Sequence, residues 1–90
     1  MTPKKDWYVY LLRCADETLY CGVTVDPDRR LSQHNAGTAS KYTRSRRPVV
    51  MAACARVADK STALRMEAAI KKLPRREKLA RLAMLADTNG

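Results

Sequence analysis

Trp7-Tyr8-Val9-Tyr10-Leu11-Leu12-Arg13-Cys14, then Ala15-Asp16-Glu17, then Thr18-Leu19-Tyr20-Cys21-Gly22-Val23-Thr24-Val25: this run near the start of the 90-residue chain decides its fold. From Trp7 to Leu12 the residues are aromatic or aliphatic at odd and even positions alike. A strand with one wet face alternates apolar with polar residues, whereas an unbroken apolar strand is covered on both faces and lies inside its sheet. The three polar residues that follow are of hairpin length, and the second run is again strand-like. The two are read as an antiparallel hairpin whose first strand is central. Gly22 weakens the second strand, and a glycine there commonly marks a close approach to the backbone.

Outward from the hairpin, Asp26-Pro27-Asp28 opens a helix. Asp26 can cap the free amides, Pro27 suits the first helical position, and Asp28 complements the positive end of the dipole. The helix is expected to reach about Asn35, with Gly37 ending it. Residues 38–48 read as a polar, basic loop closed by Pro48, and Val49 to Val57 as a third strand. Asp59 or Ser61 can cap a second helix over roughly 62–73, in which Ala63, Met66, Ile70 and Leu73 form one buried stripe. Pro74 interrupts, and a last helix turns Leu79, Leu82 and Ala86 to the core. The expectation is an α+β domain: a small three-stranded antiparallel sheet flanked by helices, in the order β-β-α-β-α-α. The length suits one domain, since domains cluster near roughly 100–150 residues.

Charge is distributed unevenly. Residues 1–40 carry five basic and five acidic side chains; residues 41–81 carry thirteen basic ones against Asp59, Glu67 and Glu77, a net of +10. A lopsided field of this kind attracts polyanions and steers their approach, which points to nucleic acid. Cys14, Cys21 and Cys54 are odd in number, widely spaced and set among apolar residues, and His34 is the only histidine. That pattern argues against a zinc site or a disulfide scaffold and for free thiols in a reducing cytoplasm. The longest apolar run, Val49 to Ala55, is too short to span a membrane, and residues 2–6 lead into no signal-peptide core.

Several side chains suit phosphodiester chemistry. Tyr10 and Tyr20 sit on paired strands, and Arg30 and His34, four apart, share a helix face. Glu67 is the only acid between Lys60 and Arg76. Surrounded by positive charge, it should stay ionised and can hold a cation. Cleavage needs a metal to polarise the phosphate, a group to take a proton from water, and a cation to offset transition-state charge. Tyrosine, with a reference pKa near 10, is an unusual base and would need help from neighbours.

Read in order, these residues resemble the GIY-YIG nuclease family, in particular its small stand-alone bacterial members. The half-motifs are Tyr8-Val9-Tyr10 and Tyr20-Cys21-Gly22. The stretch from Val23 to Gly37, with Lys41-Tyr42-Thr43 and Arg46-Arg47-Pro48-Val49, looks like the branch of structure-specific endonucleases acting on branched DNA. Ala63-Leu64-Arg65-Met66-Glu67 is similar to the acidic-helix motif, and Ile70-Lys71-Lys72-Leu73 follows it. The likeness covers about residues 7–82. It implies that Tyr10 activates or positions the attacking water, Tyr20 orients water or phosphate, and Arg30 binds the scissile phosphate. It further implies that His34 has an accessory proton-transfer or phosphate role, and that Glu67 ligates a divalent metal, Mg or Mn. Gly22 would let substrate or a neighbouring helix come close. The chain departs from the family pattern in Tyr8 and Cys21, and in having no Asn after the acidic helix before Asn89.

Three function classes follow. The first is a metal-dependent endonuclease, acting on DNA or else RNA by shape rather than sequence. The second is a nucleic-acid-binding module with the nuclease fold and little or no activity, and the third is a protein-interaction domain. Lys41, Tyr42, Arg44, Arg46, Arg47, Lys71 and Lys72 are the expected nucleic-acid contacts. A homodimer or a protein partner supplying specificity is compatible with so short a basic domain.

Overall fold

A computed structural model describes residues 6–89, and their side chains as far as residue 84. The hairpin forms as expected, from β1 (Trp7–Arg13) and β2 (Leu19–Thr24), and β3 (Val50–Val57) adds to the other side of β1. The sheet order is β2-β1-β3, with both pairings antiparallel. β1 is thus the central strand, and Val9, Tyr10, Leu11 and Leu12 are all buried. The turn is fixed locally: Thr18 donates from its amide and hydroxyl to Asp16 Oδ1 at 3.1 and 2.6 Å. Glu17 takes a left-handed φ of 69° there.

The two faces of β1 head two cores. On one, Val9, Leu11, Cys21, Ala55 and Val57 pack with Ala63 and Ile70 of α3 (Lys60–Lys71) and Leu82 of α4 (Arg75–Asn89). On the other, Tyr10, Leu12, Cys14 and Val49 pack with Tyr20, Met51, Cys54 and Leu31 of α1 (Pro27–Ala36). The expected stripe on α3 holds, with Ala63 and Ile70 fully buried and Met66 and Leu73 half-buried. The side chain of Ala86 lies outside the described residues.

Capping is as the sequence specifies. Asp26 accepts from the Arg29 amide at 3.1 Å and Asp59 from the Thr62 amide at 2.8 Å. Gly37 closes α1 in the left-handed conformation, φ 83°, its amide returning to the carbonyls of Gln33 and His34. One expectation needs correction. Residues 38–48 are not all loop: Lys41–Arg44 form a helical turn, α2, capped by the Ser40 hydroxyl. Asn35 ties α1 to the sheet, donating from Nδ2 to the Val49 carbonyl at 2.9 Å and accepting from the Val49 amide at 2.8 Å.

Candidate active site

Tyr10 projects from the centre of the sheet onto the face covered by α1. Its cross-strand partner is Gly22, and that pairing explains the glycine. A Cβ at residue 22 would collide with the Tyr10 hydroxyl and lie 2.6 Å from Cζ. What comes close to Gly22 within the protein is the Tyr10 ring.

The Tyr10 hydroxyl lies 2.9 Å from His34 Nε2, and His34 Nδ1 lies 2.7 Å from the hydroxyl of Thr43. Tyr10 is 1% exposed, and His34 and Thr43 are fully buried. His34 thus has both ring nitrogens engaged inside the protein, and a direct contact with a phosphate is closed to it. Burial lowers its pKa from the ordinary value, and the Arg30 charge lowers it further. The ring is neutral at pH 7. Burial also raises the Tyr10 pKa, while the Arg30 guanidinium beside it favours the ionised form. Arg30 itself is half-buried and donates to Gln33 Oε1 at 3.0 Å.

Tyr20 lies on the edge strand, half-buried. Its ring meets His34 edge-on at 5.2 Å and Tyr42 at 5.7 Å. Tyr10, Tyr20, Arg30 and His34 are therefore brought together as the sequence suggests. Thr43 and Ser40 join them although neither was singled out; Thr43 stood inside the quoted Lys41-Tyr42-Thr43 stretch, with no signal of its own.

Glu67 stands elsewhere. It lies on α3, which packs on the opposite face of the sheet. Its charge reaches Cys21, whose thiol is pushed up to about 11, first by burial and then by this carboxylate. Lys71 pairs with Glu67 at 3.5 Å, and among the described residues that is its one ion pair. Since Cys21 adjoins Tyr20 on edge strand β2, Glu67 and the tyrosines approach one strand from its two faces. Among the described residues no group of three or more His, Cys, Asp or Glu is poised to hold a metal. A lone, partly exposed carboxylate does not make a zinc or calcium cage. It fits a hydrated Mg-like ion that keeps most of its waters and shares the rest of its shell with substrate phosphate.

The expected nucleic-acid contacts divide. Lys41, Arg44 and Lys72 are exposed, and Tyr42 offers part of its ring. Arg46 is committed to the fold: it donates to Asp16 Oδ2 at 3.0 Å and to the Tyr42 carbonyl at 2.9 Å, and lies over the Tyr42 ring. Arg47 donates to the carbonyls of Arg44 and Asn35 at 2.9 and 3.3 Å.

The sheet order, the paired tyrosines and the helix carrying Arg30 and His34 define a GIY-YIG catalytic domain. Residues 6–80 match the model of that family, and the chain belongs to it; this is a nuclease family. It is similar to small UPF0213 proteins, at 48% identity over 80 residues to one from Enterococcus faecalis, covering 87% of this chain and 91% of that one. A Natronomonas pharaonis UPF0213 protein is 49% identical over 85 residues, covering 94% of this chain and 96% of its own. The solution structure of an E. faecalis protein superposes with a TM-score of 0.63 at 43% identity, covering 93% of this chain and 90% of that one. That of a Bacillus halodurans UPF0213 protein gives 0.55 at 38%, covering 90% and 86%.

Proposed function

We propose that this chain is a metal-dependent endonuclease that hydrolyses phosphodiesters in nucleic acid, DNA before RNA, selecting by shape rather than sequence. The observation that carries this reading is the buried Tyr10–His34 pair, with Arg30 beside it and Tyr20 against it. The pair sets a tyrosine proton against a neutral imidazole, the arrangement a proton relay uses.

Burial keeps Tyr10 protonated at neutral pH, so it is not a ready phenolate. It can take a proton from water only while passing its own to His34, whose lowered pKa keeps it neutral and able to accept. In the proposed reaction the water oxygen bonds to phosphorus as its proton moves to Tyr10 and the Tyr10 proton moves to His34. The bond to the leaving oxygen breaks, and that oxygen is protonated from solvent. Arg30 offsets charge on the phosphate, and half-buried Tyr20 orients water or phosphate at the entrance. Glu67 would hold the divalent ion, Mg or Mn, which supplies charge neutralisation at the phosphate when bound. Substrate lying along the β2 edge can reach Tyr20 and Glu67 together. Lys41, Arg44 and Lys72, with Tyr42, extend the backbone contact. Free thiols at Cys14, Cys21 and Cys54 suit a reducing compartment such as the cytoplasm.

A second reading, binding without cleavage, is favoured by one observation: Lys71 already neutralises Glu67. Labelled single-stranded, duplex, flap and branched DNA, and an RNA, incubated with the protein in Mg or Mn, separate the two. Metal-dependent cleavage that Glu67→Ala and Arg30→Ala both abolish supports the nuclease. Binding without cleavage, nearly unchanged in the variants, supports the module.

A further inference from the structure

We propose that Thr43 is a positioning residue of this site: its hydroxyl accepts the Nδ1 proton of His34 and so holds the ring with a bare Nε2 facing the Tyr10 proton. The catalytic consequence rests on the nuclease reading above; the tautomer does not.

The assignment follows from counting donors. Neutral imidazole has one N–H and one bare nitrogen, and a hydroxyl has one hydrogen and two lone pairs. Tyr10 is 1% exposed, and its hydroxyl has His34 Nε2 at 2.9 Å. Its other polar neighbour, the Arg30 guanidinium, can only donate. Were Nε2 protonated, no protein group beside Tyr10 would accept its hydrogen, which in a buried place costs about 1–3 kcal/mol. Tyr10 therefore donates to a bare Nε2, and the imidazole proton sits on Nδ1.

That proton needs an acceptor, and Thr43 is built to be one. Nδ1 lies 2.7 Å from Thr43 Oγ1. The Thr43 hydrogen has its own outlets on Ser40, the side-chain oxygen at 2.9 Å and the carbonyl at 3.5 Å. Ser40 in turn caps α2, accepting the Thr43 amide at 3.2 Å. The chain of donation runs Tyr10, His34, Thr43, Ser40, and it leaves no buried side-chain polar atom unpartnered among the described residues. Reversing it would strand the Tyr10 hydrogen. The cap of a four-residue helical turn thus receives a chain of donation that starts on the central strand.

His34 is the only histidine, so ring ¹⁵N NMR of the uniformly labelled protein reads its tautomer without ambiguity. The wild type should show a protonated Nδ1 and a bare Nε2 at pH 7.5. Thr43→Val keeps the shape and removes the acceptor; the Nδ1 proton of His34 should stay but lose its hydrogen bond, moving the Nδ1 ¹⁵N and ¹H resonances upfield. Thr43→Ser should restore the wild-type spectrum. Cleavage of the preferred substrate should fall by up to about 100-fold in Thr43→Val and recover in Thr43→Ser. An Nε2–H wild type overturns the proposal even if no variant folds. Nδ1 resonances unchanged in Thr43→Val also overturn it, whatever the nuclease activity. The expected ring spectra in a protein that cleaves nothing uphold the proposal and count against the nuclease reading alone.

Discussion

Gly22→Ala is the sharpest mechanical probe of the site, because one methyl group lands on the tyrosine that the proposed reaction uses. The new Cβ would stand 2.6 Å from Tyr10 Cζ and 3.0 Å from Cε2, and nearer still to the hydroxyl. Restoring the ordinary contact of 3.4 Å at Cζ moves the ring by about 0.8 Å. The hydroxyl is held at 2.9 Å to His34 Nε2, and hydrogen bonds of this kind tolerate a few tenths of an ångström. Tyr10 is on a central strand and cannot slide without disturbing β2 and β3 together. Overpacking of this kind costs about 1–3 kcal/mol, and a buried hydrogen bond left half-made adds about 1–3 kcal/mol. The expected loss is about 2–6 kcal/mol, read as a lower urea midpoint at unchanged slope. Cleavage should fall in the folded fraction as well. Tyr10→Phe in the same chain removes the worst clash, so the double variant should be destabilised by less than the sum of the singles. If Gly22→Ala unfolds with the wild type and keeps its His34 ring spectrum, the close packing of Tyr10 on Gly22 is wrong, and the reasoning built on it fails.

Three further outcomes follow from the same geometry. The lowered pKa of His34 makes its contribution to stability full above the unfolded value of 6.5 and declining as pH falls below it toward the folded value; His34→Gln should flatten that part of the stability–pH curve measured by denaturation. Lys41→Ala and Arg44→Ala should each weaken DNA binding and lower the salt slope by about one without changing the melting temperature. Arg46→Ala should instead cost about 1–2 kcal/mol in stability, because it releases Asp16, the Tyr42 carbonyl and the Tyr42 ring.

How much of this was legible in the sequence depends on how local each cause is. An unbroken apolar run names a central strand because both its faces must be covered, and β1 is central. Asp26, Gly37 and Asp59 mark helix ends because capping acts within three or four residues. The α2 turn left no such mark: four residues are too few for a periodic pattern, and Ser40 is one polar residue among several. The role of Gly22 depends on cross-strand register, which no single strand records. Tyr10, Tyr20, Arg30 and His34 converge as their order implied, while the place of Glu67, on the other face near Cys21, is set by how α3 packs. Thr43 was beyond reach for a different reason. Its hydroxyl matters only because His34 is fully buried, and burial of a lone histidine is a property of the folded core.

The uneven charge of the sequence changes meaning once folded. Three acids of the neutral first part reach across to basic residues of the second: Asp6 to Arg56, Asp16 to Arg46, and Glu17 to Arg75. Each pair is exposed and worth little as a bond, yet each cancels a charge at a definite place. Lys71 is offset in the same way by Glu67. The net charge of +9 survives all of this, but it is moved. Lys41, Arg44 and Lys72 stand in no ion pair among the described residues, and Arg47 keeps its full charge because its partners are carbonyls. Lys41, Arg44 and Arg47 cluster on and beside α2, the turn whose Thr43 holds His34. A polyanion attracted to these three charges would arrive beside the helical turn whose Thr43 holds His34, so that in the proposed nuclease attraction and chemistry share one short segment of chain.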